Sequence, residues 1–169
     1  QDGSNQGGQT EQKEYVYVPE YLELDDNTNS SYSNMIVQGD KLYYTNYQWD
    51  EASGESKVVL GTYSLTDGSR EDLPITINAD GGGIYSMQAD AEGNIYTAEF
   101  EWNATEGDDA YTQQTTVLHK YDASGTELVT QDITDIMQQD ENNSYVGSMC
   151  LDDQGRFYIR SEEHTSELQ

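Results

Sequence analysis

Large apolar and polar residues alternate along most of this chain in short runs, the period-two pattern of strands with one buried face. The first run, "YVYVPEYLEL" from Tyr15 to Leu24, contains Pro19; proline has no N–H for a ladder, so this strand is expected at an edge or a bulge. A polar loop, "DDNTNSSYSN", follows, and then a unit begins that occurs more than once. Its first copy reads "MIVQGDKLYYTNYQWD" and later "VVLGTYSLTDGS"; its second reads "MQADAEGNIYTAEFEWN" and later "TVLHKYDASGTE". Placing Leu42 on Ile95 puts Tyr43 on Tyr96, Tyr47 on Phe100 and Trp49 on Trp102. Placing Leu60 on Leu118 puts Tyr63 on Tyr121, and Gly68 and Gly125 then fall in matching turns. A third start, "MCLDDQGRFYI", sets Met149 on Met87, Gly155 on Gly93 and Tyr158 on Tyr96.

Each copy has a simple physical reading. A short strand meets a turn rich in Asp, Asn and Gly, residues that tolerate the backbone of tight hairpins. A second strand carries large residues at alternate positions, a polar loop leads to a third, and a glycine turn leads to a fourth near "EDLPITI" or "ELVTQDI". Four antiparallel strands joined by hairpins, repeating at about fifty residues, describe a β-propeller blade. The expected fold is therefore all-β, with antiparallel four-stranded blades in an incomplete propeller of about two blades plus the start of a third. Residues 1–14 are expected as a flexible linker, 15–30 as an N-terminal edge strand and loop, and 31–80 as the first blade. The second blade is expected over 84–136 and the start of the third over 145–159. "GGG" at Gly81 to Gly83 is expected as a flexible link between blades. With so few blades, open strand edges should favour association.

The quoted segments "LYYTNYQWD", "YSLTDGS", "DAEGNIYT" and "KYDASGTELV" resemble blades in the N-terminal region of Gram-positive-type surface lipoproteins. In that group a propeller-like segment precedes a family 1 extracellular solute-binding domain of ABC importers. The opening "QDGSNQGGQTEQKE" resembles the spacer after the lipid-bearing cysteine of such lipoproteins. The resemblance implies a chain held at the cell surface by a lipid anchor, and a link to solute import through a longer parent.

Composition narrows the partners. The 33 acidic and 7 basic residues give a formal charge of −26, which repels phosphate backbones and anionic headgroups, so neither nucleic acid nor a charged membrane surface is expected. No run reaches transmembrane length. Mean hydropathy is −0.88, yet 14 tyrosines and 2 tryptophans supply the apolar area that disordered chains lack. Cys150, the one cysteine, lies in the apolar run "GSMCLD" and is expected as a small buried hydrophobe.

Little catalytic chemistry stands out. The ending "RSEEHTSELQ" resembles the in-frame translation of a sequencing-library adapter, which makes residues 160–169 foreign to the fold and sets His164 and its flanking glutamates aside. His119, in "VLHKYD", is expected on a strand surface. No nucleophile elbow, zinc-binding helix motif or phosphate loop is present, so no catalytic residue, cofactor or metal site is assigned and the chain is not expected to be an enzyme. The acidic turns "DAEGN" and "LDDQG" offer oxygen ligands for calcium but lack the full spacing of a calcium loop, and read as hairpins. Trp49 and Trp102, with Tyr47 and Phe100 beside them on matching strands, are the candidate ligand-binding residues, suited to stacking on a sugar, peptide or other small molecule. The expected function is a non-catalytic binding segment. The alternatives are a self-standing sensor or adhesion propeller and a fragment of a propeller enzyme.

Overall fold

A computed structural model describes residues 30–103, 113–137 and 145–162, together with Pro19 and Tyr21. The segment 15–24, apart from those two residues, and His164 lie outside the described residues. The described chain is all-β, in antiparallel sheets, as the alternation predicts. Sheet 1 is a four-stranded meander of β1 (Ser30–Gln38), β2 (Lys41–Asp50), β3 (Glu55–Ser64) and β4 (Arg70–Asn78). Sheet 2 repeats it with β5 (Gly82–Ala89), β6 (Ile95–Asn103), β7 (Gln113–Tyr121) and β8 (Glu127–Asp132). A single helical turn, α1 (Thr134–Met137), then leads toward sheet 3, the hairpin of β9 (Tyr145–Leu151) and β10 (Phe157–Glu162).

The two complete sheets share one register. Leu42 pairs with Tyr63 and Ile95 with Tyr121; Tyr44 pairs with Gly61 and Thr97 with His119; Trp49 pairs with Ser56 and Trp102 with Gln114. A one-residue slip would turn every side chain to the wrong face, so the shared register shows that the sequence repeat is also a repeat of faces. The face of sheet 1 bearing Tyr43, Val58, Leu60, Leu73, Ile75 and Ile77 packs on Met87, Ala89 and Ile95 of sheet 2. The opposite face of sheet 2, with Tyr96 and Ala98, packs on Val146 and Met149 of sheet 3 and on Ile133 and Met137 around α1. The sheets therefore stack in chain order, each burying one face against the next.

Two expectations are corrected, and one element is new. Gly82 and Gly83 are not a flexible link: they pair with Glu101 and Phe100 as the start of β5. A side chain at Gly82 would collide with the Phe100 carbonyl oxygen, so this glycine is required by close backbone approach. Cys150 is exposed, because alternation on β9 turns Met149 into the core and Cys150 to the other face, beside half-exposed Tyr158 across the hairpin. The helical turn α1 was not foreseen either. It starts where Thr134 N–H donates to Asp132 Oδ1 at 2.8 Å, and Thr134 Oγ1 accepts the Thr116 N–H at 3.0 Å. In sheet 3, pairing runs past Ile159, with Arg160 opposite Ser148 and Ser161 opposite Val146.

Candidate functional site

At one end of the stack three hairpins are closed by the same device. Asp90 Oδ1 accepts the N–H groups of Glu92 at 3.1 Å and Asn94 at 2.8 Å, while Oδ2 accepts Asn94 Nδ2 and the Tyr96 hydroxyl. Asp152 does the same for Gln154, Arg156 and Tyr158. Asp122 accepts the N–H groups of Ser124 and Thr126. In each turn the third residue after the aspartate is a glycine in the left-handed region, with φ of 82° at Gly93, 84° at Gly125 and 71° at Gly155. Burial opposes ionisation of Asp90, but donation from Asn94 and Tyr96 outweighs it and holds its pKa below the ordinary range. In the turns read as possible calcium loops, the Asp90 and Asp152 carboxylates thus act as acceptors for their own loops.

These turns border two clefts. One of about 350 Å³ lies between sheets 1 and 2, with Asp40, Glu71, Asp90 and Glu92 around it and Lys41 as its cation. The other, of about 390 Å³, lies between sheets 2 and 3 and is lined by Asp90, Glu92, Asp152 and Asp153. Tyr43 borders the first cleft; burial, then the charges of Asp90 and Asp40, raise its pKa.

The four aromatic candidates sit away from those turns, toward the far ends of β2 and β6. Tyr47 and Trp49 are partly exposed, at 38% and 42%, and Trp102 is at 37%. Phe100 is half-buried, its ring 4.5 Å from that of Tyr85 and over Gly83. By strand alternation Tyr47 and Trp49 share the Tyr43 face of sheet 1, whereas Phe100 and Trp102 share the Tyr96 face of sheet 2. The structure pairs Tyr47 with Trp49 and Phe100 with Trp102, and sheet 2 stands between the two pairs. They do not form one platform. Tyr47 donates its hydroxyl to Ser56 Oγ at 2.7 Å, which fixes the ring's outer edge.

A cluster that the sequence did not reveal lies on the other face of sheet 2. Glu99 on β6 is mostly buried, with 14% of its side chain exposed. Its Oε1 accepts Thr97 Oγ1 at 2.6 Å and the Tyr121 hydroxyl at 3.3 Å, while its Oε2 faces His119 Nε2 at 3.7 Å. On the far side of the imidazole, Nδ1 lies 3.0 Å from Glu127 Oε2 and 3.3 Å from Thr130 Oγ1. His119 lies on a strand, β7, as expected, but its side chain is only 16% exposed and is held between two carboxylates. Burial raises the pKa of Glu99, and donation from Thr97 and the charge of His119 offset this only in part. Burial and then the charge of Glu99 push the Tyr121 hydroxyl up. Glu127 is lowered by Thr130 and His119. The one sequence signal was an oddity within the repeat, His119 standing where the first copy has Gly61.

Among the described residues no group of three or more His, Cys, Asp or Glu is arranged to hold a metal ion, and no helix is long and apolar enough to cross a membrane. No family model matches the chain, and no curated protein matches it. Among solved structures, an acylaminoacyl peptidase of Pyrococcus horikoshii is similar at 12% identity over 81% of this chain, with a TM-score of 0.32. This chain spans about a third of that one, 32%. A likeness at that TM-score carries no argument about fold or activity.

Proposed function

We propose that the chain is a run of β-propeller blades serving as a non-catalytic binding module of a bacterial surface lipoprotein, working beside an extracellular solute-binding protein of an ABC importer. The observation that carries the reading is the repeat of register and face: two four-stranded meanders and a third hairpin stack in chain order, each covering its predecessor. Stacked meanders of this kind are how propellers bury their sheets. The partly exposed aromatic pairs at the far strand ends favour capture of a sugar, peptide or small molecule.

The test has two parts. Reading the source gene past the codon for Ile159 should reveal further Asp-x-x-Gly units followed by a two-lobed α/β binding domain. Further units and then a stop would favour a self-standing sensor or adhesin, and clustered His, Asp and Glu on one face would favour an enzyme. In parallel, an oligosaccharide and peptide array should give hits that Trp49→Ala and Trp102→Ala weaken. Hits indifferent to both variants would remove the aromatic positions from the reading.

A further inference from the structure

The outer face of sheet 1, turned away from sheet 2, is as dry as the core. Leu42, Tyr44 and Asn46 on β2 and Val59 on β3 are 7%, 0%, 5% and 8% exposed. By strand alternation they lie opposite the Tyr43 face, and Leu42, Tyr44 and Val59 belong to neither of the clusters that join the sheets. Tyr32, edge-on to Tyr44, shields one of the four. The outer face of sheet 3 shows the contrast: Cys150 is exposed there, and Tyr158 across the hairpin is 50% exposed. A sheet face with no layer over it keeps its side chains in contact with water, so the outer face of sheet 1 has a cover.

The chain itself holds one stretch fit for that task. Of the segments outside the described residues, "QDGSNQGGQTEQKE", "DDNTN", "ATEGDDAYT", "QQDENNS" and "EHTSELQ" are polar and lack apolar alternation. In "YVYVPEYLEL" two sets alternate. One is Val16, Val18, Leu22 and Leu24, broken only by Glu20; Pro19 and Tyr21 belong to the other. Both of these last two are exposed, Tyr21 at 89%, and in an extended chain the first set then faces the opposite way. Five residues, 25–29, join Leu24 to Ser30 at the start of β1. Fully extended, that link reaches about 20 Å, and a sheet of four strands is only about 14 Å across.

We propose that residues 16–24 cover the outer face of sheet 1, with Val16, Val18, Leu22 and Leu24 against Leu42, Tyr44 and Val59. Pairing along the free edge of β1 is the poorer fit. An added edge strand widens a sheet and leaves its face open, and Pro19 has no N–H to give to a ladder. The cover makes sheet 1 the closed end of the stack and leaves sheet 3 as the open one. The inference holds whatever the chain binds and whatever follows Ile159.

The test uses the full chain. Nuclear Overhauser contacts from the methyl groups of Leu42 and Val59 should lead to valine and leucine methyls of 16–24. A mixture of labelled and unlabelled chains should show none of them between copies. Leu22→Asp should raise the unfolding equilibrium constant about tenfold or more and brighten a dye that reports exposed apolar surface, and Tyr21→Asp should do neither. Should Leu22→Asp fail to fold, Leu22→Ala and the methyl contacts still decide. Contacts confined to residues outside 16–24, contacts only between copies, or equal effects of Leu22→Asp and Tyr21→Asp would each overturn the proposal.

Discussion

Sheets 1 and 2 hold equivalent positions at the same register and fill several of them with opposite chemistry. Where sheet 1 has Tyr44 opposite Gly61, sheet 2 has Thr97 opposite His119; Asn46 gives way to Glu99, and Arg70, opposite Tyr63, gives way to Glu127, opposite Tyr121. In sheet 1 the face is aromatic. Tyr44 is fully buried, its ring lies over Gly61, and it meets Tyr32 edge-on at 5.4 Å. Arg70 donates to the Tyr32 hydroxyl at 3.1 Å, and the Tyr44 hydroxyl first, then that of Tyr32, raises its pKa. In sheet 2 a small Thr97 leaves room for the imidazole, and the charge at the edge changes sign. The backbone of the repeat is thus indifferent to what its faces carry. One copy can be spent on packing while the other holds polar groups.

The sharpest way to break the comparison is to remove the ring that makes sheet 1 different. Tyr44→Ala should lower unfolding free energy by about 3–5 kcal/mol, the usual cost of deleting a buried aromatic side chain, measured by urea denaturation. Thr97→Ala, at the same register in sheet 2, should cost clearly less. The complementary change, Gly61→Ala, would set a methyl carbon 2.6 Å from the Tyr44 ring. It should cost about 1–3 kcal/mol as overpacking, and combining it with Tyr44→Ala should relieve much of that loss. Simple additivity of the two would mean that ring and glycine do not depend on each other.

The smallest effect is read against pH. Burial holds the Glu99 pKa above its ordinary 4.5, so the folded chain keeps that proton more tightly than the unfolded chain. The resulting stability is fully present below the ordinary value and is lost as pH rises through the raised one. Relative to Glu99→Gln, the parent should therefore gain stability on going from pH 7 to pH 4. Asp90 predicts the opposite trend: its lowered pKa gives stability above 3.8 that is lost as pH falls. Thermal melts of Glu99→Gln between pH 7 and pH 4, and of Asp90→Asn from pH 4 downward, check both signs, and slopes of the same sign would contradict the assignment.

What could be read in the sequence was whatever is local or repeated. The turns at Gly93, Gly125 and Gly155 announce themselves because few residues but glycine take their backbone comfortably, and the aspartate that closes each lies three residues before. Register followed from the repeat, since Tyr43 on Tyr96 and Tyr63 on Tyr121 fix both strands at once. The misses were cross-strand. Glu99 and His119 are twenty positions apart in sequence and meet diagonally across β6 and β7, so neither residue signals the other. Gly82 looked like a hinge because composition cannot distinguish a glycine that needs freedom from one that needs to be thin. Cys150 looked buried because its neighbours are apolar; only knowing that Met149 faces inward turns it out. The aromatic pairs matched in sequence, yet a sheet lies between them, because equivalent residues of stacked repeats point the same way and so never face one another.

The aspartate clamps also bear on the order in which the chain acquires its shape. In each of the three sheets every strand pairs with its neighbour in sequence, so no strand waits for a partner made later. A hairpin closes in about 1–10 μs, whereas a ribosome adds about 5–20 residues per second. Sheet 1 can be complete before β6 has emerged from the ribosome. Its Tyr43 face is then a template, wet for seconds, until Ile95 arrives to cover it. The growing chain would meet its greatest hazard in those intervals between one sheet and the next.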